Sequence, residues 1–262
     1  MIAGFPAFEP ALAEKGRGFP RDSFRLMAEV EAKSFWFRNR NRLIVWALRH
    51  ENVEPARLLE IGCGTGFVLR HLASKWPQAE IFGSDVFTTG LGFAASRVPR
   101  ASLFQMDATK SVFDDAFDVI VACDVIEHIG RDDLALSTMH HALRASGALL
   151  LTVPQHRHLW SSVDEHAKHE RRYERSELVG RVKEAGFRVT LVRSFMSLLY
   201  PVMRASRKAT PPLEEMDPLG EFRMSRMTDS ALGAVSRIEE VLIRAGANFL
   251  VGGSLLLVAR RD

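Results

Sequence analysis

The chain has 262 residues, of which 47% are hydrophobic and 26% are charged. A chain of this length and balance can bury a hydrophobic core without disulfides or a structural metal, and it is neither intrinsically disordered nor a collagen or a coiled coil. Lys and Arg outnumber Asp and Glu by only 35 to 32, so the net charge does not by itself indicate a nucleic-acid partner.

The cysteines and the hydropathy of the chain indicate where the protein works. Cys63 and Cys123 both lie in apolar stretches, and so few thiols favour a reducing compartment over a disulfide framework or a zinc cluster. No signal peptide is recognisable, and the longest uncharged apolar stretch, 245–258, is too short to cross a bilayer as a helix. We therefore expect a cytoplasmic protein, and contact with a membrane surface stays open.

The N-terminal half is predicted to begin with an irregular arm over residues 1–20 and a helix from Asp22 to about His50, with room for a break. Short apolar strands then alternate with helices. The predicted strands are 57–61, 80–84, a brief one ending near Phe104, 117–123 and 149–153, and the predicted helices are 67–76, 88–97 and 131–144. Most of these strands are continuous apolar runs, which is typical of a parallel sheet covered on both faces.

The C-terminal part continues with a helix that ends at Gly186 and an alternating, half-exposed edge strand over 187–193. The proline-rich stretch 208–220 predicts a loop, which we interpret as a candidate lid, and a helix near 229–245 precedes a last strand at 254–259. The sequence therefore predicts an α/β fold with a doubly wound, mostly parallel sheet. The predicted organisation is an N-terminal arm and helical cap over 1–50 and a main domain over 51–262, with an insertion around 195–228.

Polar residues follow the predicted strands at their carboxyl ends. The loop Gly62-Cys-Gly-Thr-Gly66 follows the first strand, and Asp85, Asp107 and Asp124 follow the next three. In an open parallel sheet, ligands bind beyond these ends, so the loop and the acids converge on one edge. The glycines permit close approach of a ligand, and the helix that follows them offers unpaired amide donors.

The spacing of this loop and its charges argue against a dinucleotide. A dinucleotide loop reads Gly-x-Gly-x-x-Gly, whereas this one reads Gly-x-Gly-x-Gly and has Glu60 two residues before it. Acids at the mouth of the site would repel a pyrophosphate but suit a ligand that carries an ammonium and a sulfonium. Asp85, 23 residues after Gly62, is spaced to accept hydrogen bonds from a ribose diol. These charges favour S-adenosylmethionine over NAD.

The segment Leu58–Gly66 resembles the first motif of the class I S-adenosylmethionine-dependent methyltransferases. Cys123-Asp-Val-Ile-Glu-His-Ile129 resembles the segment after the fourth strand in their small-molecule members, and the resemblance extends from about Leu58 to Pro154. A second, less specific resemblance, over 154–187 and at Phe35-Trp-Phe37, is to an uncharacterised bacterial branch. The resemblance implies a seven-stranded Rossmann-like fold, with 254–259 as an antiparallel strand beside the sixth.

The resemblance also implies which residues bind S-adenosylmethionine, with S-adenosylhomocysteine as the product. Asp85 matches the ribose-binding acid, Asp107 the position that contacts adenine, and Glu60 an orienting residue beneath the methionine moiety. The implied cofactor set is Glu60, Gly62, Cys63, Gly64, Gly66, Asp85, Val86, Asp107, Ala108 and Asp124. The expected reaction is direct in-line transfer of a methyl group to a small-molecule acceptor, which could be apolar or lipid-like.

The acceptor side has fewer signals. His156 and His169 are candidates for a general base because imidazole titrates in the appropriate range, and Trp36, Trp160 and Tyr173 are candidates for the walls of an acceptor pocket. His128 is interpreted as packed beneath the loop. The histidines show no recognisable metal-ligand spacing, so we expect no metal.

Three other functions stay open at this point. A nucleotide-dependent oxidoreductase is disfavoured by the loop spacing and the acids. A nucleic-acid methyltransferase is disfavoured because no Asn/Asp-Pro-Pro-aromatic motif follows the fourth strand and no basic stripe is visible. The sequence does not dismiss a protein that binds the cofactor without catalysis, because this kind of methyl transfer has no obligatory catalytic side chain.

Overall fold

The computed structural model describes residues 1–15, 23–110, 112–209 and 224–262. Its strands are β1 (Arg57–Ile61), β2 (Glu80–Asp85), β3 (Ser102–Gln105), β4 (Phe117–Cys123), β5 (Leu143–Pro154), β6 (Phe187–Phe195) and β7 (Ser254–Arg261). Its helices are α1 (Pro10–Lys15), α2 (Ser23–Val30), α3 (Phe35–His50), α4 (Phe67–Lys75), α5 (Thr88–Arg97), α6 (Asp132–Ala142), α7 (Ser162–His166), α8 (Arg175–Glu184), α9 (Tyr200–Ala209) and α10 (Arg226–Arg244), with 3₁₀ helices at Ile126–His128 and Arg157–Leu159. Most of the proposed lid, 210–220, lies outside the described residues. None of the described helices is both long and apolar enough to cross a membrane.

The strands form one sheet in the order β3-β2-β1-β4-β5-β7-β6. Strands β1 to β5 pair in parallel, and β7 runs antiparallel to both β5 and β6. This arrangement confirms the predicted doubly wound, mostly parallel seven-stranded sheet and its antiparallel last strand. The strand order reverses between β1 and β4, and at such a switch point a crevice opens beyond the carboxyl ends of the strands.

Apolar side chains cover both faces of the sheet, which explains why its strands are continuous apolar runs. On one face, Val119, Val121 and Val258 pack with residues of α3 and α4. On the other face, Ile120 and Leu257 pack with residues of α6 and α8. Because successive residues of a strand point to opposite faces, a strand with both faces buried has no polar alternation.

The structure differs from the sequence prediction in the N-terminal arm and at the end of α6. The arm over residues 1–20 is not simply irregular: it contains α1, and Ala7 forms a bridge to Gln105 of the edge strand β3. The ring of Phe8 lies 5.7 Å from that of Phe104, centroid to centroid, so apolar contact holds the arm against the sheet. The helix predicted to reach Arg144 ends at Ala142, because Leu143 already pairs with Phe117 of β4.

The break that the sequence allowed between Asp22 and His50 lies after α2, and α3 starts at Phe35. Leu43, Ile44 and Leu48 of α3 are fully or almost fully buried in the core. The domain boundary at residues 50/51 stays a prediction.

We expect Leu257→Ala to lower the free energy of unfolding by about 2–5 kcal/mol, because it leaves a cavity between strand β7 and the helices that cover it. Leu257 is fully buried, whereas Leu250 is 72% exposed. The matched variant Leu250→Ala should change stability by less than about 0.5 kcal/mol. Urea unfolding of the two variants measures both values, and equal losses would contradict the described position of β7.

Candidate functional site

A cavity of about 1050 Å³ opens beyond the carboxyl ends of β1, β2 and β4. Helices α2, α3 and α9 supply much of its remaining wall. The predicted cofactor residues that line it are Glu60, Gly62, Cys63, Gly64, Asp85, Val86, Asp107, Ala108 and Asp124. Within the described parts of the chain, Gly66 is the member of the predicted set that does not line the cavity.

The glycines after β1 are required by the packing of the loop itself. Gly62 and Gly66 have φ values of 69° and 76°, a region that glycine adopts at little cost. A Cβ on Gly62 would overlap the side chain of Val125, and one on Gly66 would lie 2.7 Å from the Cα of Ala94. The loop therefore packs tightly between the segment after β4 and helix α5.

Asp85 ties the glycine loop to the end of β2. Its Oδ2 accepts a hydrogen bond from the amide of Gly64 and its Oδ1 one from the amide of Phe87, both at 2.9 Å. Burial raises the pKa of Asp85 to about 6, although these backbone hydrogen bonds lower it. A carboxylate has about four acceptor positions, so each oxygen can still accept from a hydroxyl in the cavity.

Glu60 and Asp124 share their side of the cavity with Arg40 of α3. Glu60 is buried, and its Oε2 has no hydrogen-bond partner among the described residues. Burial raises the pKa of Glu60 well above its usual value, and the charge of Arg40 opposes this rise. Arg40 forms an ion pair with Asp124, and its guanidinium lies 4.7 Å from the ring centroid of Trp36, which also lines the cavity.

Sequence reasoning missed Arg40. The available signal was its position four residues after Trp36, which places both on the same face of α3. Arg40 nevertheless lies in a run of arginines that looks like the solvated side of a helix, so periodicity alone did not separate it from its neighbours.

Asp107 lines the cavity and also closes its own turn. Its Oδ1 accepts hydrogen bonds from the amide and the hydroxyl of Thr109, both at 2.9 Å. This local turn and the position of Asp107 at the cavity are therefore compatible.

A polar cluster fastens helix α2 to the glycine loop. The hydroxyl of Thr65 donates to Glu31 at 2.7 Å, and Nη1 of Arg97 lies 2.6 Å from Glu31 Oε2 and 2.7 Å from Thr65 Oγ1. Nη2 of Arg97 donates to the carbonyl of Ala28 at 3.0 Å. Because α2 forms part of the cavity wall, this cluster holds that wall in place.

His169 also lines the cavity and is held by Asp164. The Nδ1 of His169 lies 2.9 Å from Asp164 Oδ1, which also accepts from Nε of Arg172 at 2.8 Å. Burial alone would raise the pKa of Asp164, but the hydrogen bond with His169 and the charge of Arg172 hold it at about 2. The carboxylate is thus ionised and fixes the orientation of the imidazole.

Glu127 and His128 lie beside His169 and line the same cavity. The rings of His128 and His169 meet edge to face, with centroids 4.7 Å apart. Burial raises the pKa of Glu127 well above its usual value and lowers that of His128 to about 3. Sequence reasoning did not select Glu127 as a site residue and interpreted His128 only as packed beneath the loop, so it missed that both line the cavity.

The structure does not bring His156, Trp160 or Tyr173 to this cavity, within the part of the chain that it describes. His156 pairs with Glu174 at 3.1 Å, and Trp160 is 39% exposed. Tyr173 is fully buried in the core, and its hydroxyl donates to Asp132 at 2.6 Å. Neither Trp160 nor Tyr173 lines this cavity in the described part of the chain, and their role as acceptor-pocket walls stays a prediction.

Comparison with known proteins finds a matching protein family and a curated relative. Residues 28–192 match the family model described as a methyltransferase domain. The chain is 30% identical over 105 residues to the trans-aconitate 2-methyltransferase of Variovorax paradoxus, a match that covers 40% of each protein. The match therefore spans well under half the length of this curated relative.

Solved structures share the fold at low sequence identity. One is a chain of the complex between the Haloferax volcanii Trm112 methyltransferase activator and a proposed methyltransferase, with a TM-score of 0.62, 17% identity and coverage of 92% of this chain and 94% of that one. Another is Haemonchus contortus phosphoethanolamine N-methyltransferase 2 in complex with S-adenosyl-L-methionine, with a TM-score of 0.57, 21% identity and coverage of 85% and 52%. At these identities the likeness shows the fold alone.

We expect Arg97→Ala to loosen helix α2 without unfolding the sheet, because it removes charged hydrogen bonds worth about 1.5–3 kcal/mol each. Amide hydrogen exchange over 23–30 should accelerate at least about tenfold, while exchange in β4 stays unchanged. Arg25→Ala is the matched control, since Arg25 lies on the same helix with its side chain 81% exposed. Equal exchange over 23–30 in both variants would show that the cluster does not hold α2.

Proposed function

The chain belongs to the methyltransferase-domain family and to the wider class I S-adenosylmethionine-dependent methyltransferase superfamily; on that premise we propose that it methylates a small-molecule acceptor held in the cavity beyond β1, β2 and β4. The observation that carries this proposal is the presence, in one cavity, of buried carboxyl groups with unused acceptor positions and an apolar wall. The name of the Variovorax relative, a trans-aconitate methyltransferase, supports a small organic acceptor.

The residues present fit S-adenosylmethionine. Asp85 has acceptor positions left for the ribose hydroxyls, and Glu60 has an unpartnered oxygen suited to a cationic group. Asp107 and Ala108 line the same cavity, and the family resemblance implies that this position contacts adenine. When bound, the cofactor supplies a methyl group on a sulfonium, an activated leaving group that needs no covalent enzyme intermediate.

Arg40 allows several acids to share this cavity. Its charge counteracts the rise in the pKa of Glu60, whereas the nearby Asp85 adds to that rise. By pairing with Asp124, Arg40 also keeps a second carboxylate from repelling Glu60. We infer that Arg40 sets the charge balance of the cofactor end.

We assign the acceptor to the end of the cavity near His169. Trp36, Leu199 and Met203 give the cavity an apolar wall, and its total volume of about 1050 Å³ slightly exceeds the upper limit of ordinary ligand pockets, which run to about 1000 Å³. This leaves room for an acceptor beside the cofactor. Holding the acceptor in line contributes most to the rate, since orientation alone can be worth roughly 7–11 kcal/mol.

A proton acceptor at this end is best supplied by His169. The bond between its Nδ1 and Asp164 leaves Nε2 for the cavity. His156, the other candidate base, pairs with Glu174 outside the cavity lining. We therefore assign the role of general base to His169 and not to His156.

Calorimetric titration with S-adenosylhomocysteine tests the proposal. We expect Asp85→Ala to weaken binding by at least about a hundredfold, because two hydrogen bonds to a charged acceptor are lost at about 1.5–3 kcal/mol each. Asp133→Ala removes an exposed acid and should leave the affinity unchanged. If a folded Asp85→Ala protein bound as well as the wild type, the cofactor assignment would be wrong. Turnover against small carboxylic acids, phenols and amines, with RNA and DNA as contrasts, then identifies the acceptor.

The affinity for S-adenosylhomocysteine should fall as the pH drops below about 6. The ionised form of Asp85 is the better acceptor for the ribose, and its pKa in the ligand-free protein is about 6, so binding must release its proton below that pH. Linkage predicts a loss of up to about tenfold per pH unit.

Among the described residues, Glu60 and Cys63 are titratable groups on which the charge of Asp85 acts. Burial raises the pKa of the Cys63 thiol well above its usual value, so it stays protonated throughout this range. The Glu60→Gln variant removes the other carboxyl group and isolates Asp85. A flat profile between pH 5 and 8 in that variant would exclude Asp85 as the titrating group.

A further inference from the structure

Three potential metal ligands converge at the acceptor end of the cavity. Glu127 and His128 belong to the 3₁₀ helix after β4, and His169 comes from the segment between α7 and α8. Each offers one ligand atom, and these atoms all lie within 4.8 Å of one another. All three residues line the cavity, so the cluster faces the space where an acceptor would bind.

Glu127 lacks the partners that a buried carboxyl group needs. Its side chain is fully buried, and neither carboxylate oxygen has a hydrogen-bond partner on another described residue. A buried polar group without partners costs folding free energy, and a bound ligand that satisfies the group reduces that cost. Because Glu127 also lines the cavity, a bound cation can satisfy it.

A backbone hydrogen bond holds the segment of His169 against the 3₁₀ helix that carries Glu127 and His128. The carbonyl of Glu127 accepts a hydrogen bond from the amide of Glu170 at 2.8 Å, which fixes the residue next to His169 against the 3₁₀ helix. The rings of His128 and His169 are in edge-to-face contact, 4.7 Å between centroids. The three side chains are therefore positioned by the fold before any ligand arrives.

His169 also has the outer partner that metal-binding histidines use. Its Nδ1 is 2.9 Å from Asp164, and that carboxylate is held in turn by Arg172 at 2.8 Å. A metal-ligating histidine usually donates its second ring N–H to a carboxylate, which orients the ring and raises its basicity. This arrangement leaves Nε2 of His169 as the ligand atom.

We propose that Glu127, His128 and His169 bind a divalent transition-metal ion at the acceptor end of the cavity. Two imidazoles and one carboxylate form a donor set suited to Zn²⁺, Mn²⁺ or Co²⁺ rather than to Mg²⁺ or Ca²⁺, which prefer oxygen ligands. Three protein ligands leave coordination positions open, as in catalytic sites, and because all three residues line the cavity, an acceptor there can reach the ion.

The role of this ion, though not its binding, rests on the proposed function. An acceptor hydroxyl that coordinates to an open position loses its proton to solvent water more readily, because the ion stabilises the resulting oxyanion. The O–H bond is the bond that breaks, and the oxygen keeps the electron pair with which it attacks. The ion then takes over the task assigned above to His169 as a base, and the acceptor class is an oxygen compound that can coordinate a metal.

A second group of potential ligands, His156, His158 and Glu174, is less suited to a metal. His156 and Glu174 already pair with each other at 3.1 Å, and Nε2 of His158 is 2.5 Å from the hydroxyl of Tyr200. His156 therefore serves as a matched control for His169.

Titration of the chelator-treated full chain with Co²⁺, followed by visible absorption, tests the proposal. We expect one Co²⁺ per chain, with displacement by Zn²⁺. Glu127→Gln and His169→Gln should each weaken Co²⁺ binding at least tenfold, whereas His156→Gln should bind as the wild type does. Tight binding that survives in both of the first two variants, or that is lost in His156→Gln, would overturn the assignment, and so would the absence of stoichiometric binding to the wild type.

Calorimetry with S-adenosylhomocysteine on the same samples separates this inference from the proposed function. Unchanged affinity in Glu127→Gln and His169→Gln shows that these variants are folded, so their loss of Co²⁺ supports the metal site. If the wild type binds S-adenosylhomocysteine but not Co²⁺, the metal site is wrong and the proposed function stands. If it binds Co²⁺ but not S-adenosylhomocysteine, the metal site stands and the proposed function fails. Should Glu127→Gln prove unfolded, His169→Gln alone decides.

Discussion

The guanidinium of Arg40 lies among the acids at the carboxyl edge of the sheet, and the cavity depends on this juxtaposition. Glu60 and Asp85 are buried there, and Asp124 is half-buried beside them. Carboxylates this close repel one another, and burial adds a desolvation cost to each. The pair between Arg40 and Asp124 offsets part of that repulsion, so the acids can line one cavity instead of requiring separate pockets.

The same constraint explains why the N-terminal helices belong to the site. The sheet with its loops provides an open crevice, and α2 and α3 form a wall over it. Arg40 reaches the acids from α3, and Glu31 at the end of α2 joins Thr65 of the glycine loop. The wall and the crevice are thus held together by polar contacts that form only when both are in place.

The proposed cofactor and acceptor ends of the cavity are built in different ways. The proposed cofactor end consists of residues at or just after the carboxyl ends of strands, namely the glycine loop, Asp85 and Asp107. The acceptor end combines the 3₁₀ helix after β4 with the segment around His169, two parts of the chain that lie about forty residues apart in sequence. The first end follows from the topology of the sheet, and the second depends on how the later segment packs back onto it.

The sequence by itself determined the sheet and its cofactor edge. Apolar runs that stop at Gly62, Asp85 and Asp107 mark both a buried strand and the residue at its carboxyl end, because strand and strand end are neighbours in the chain. The sequence did not determine that Arg40 faces the cavity, that Tyr173 lies in the core, or that Glu127 and His169 meet. Periodicity tells that a side chain is buried but not what it is buried against, and that partner is chosen only when distant segments pack together.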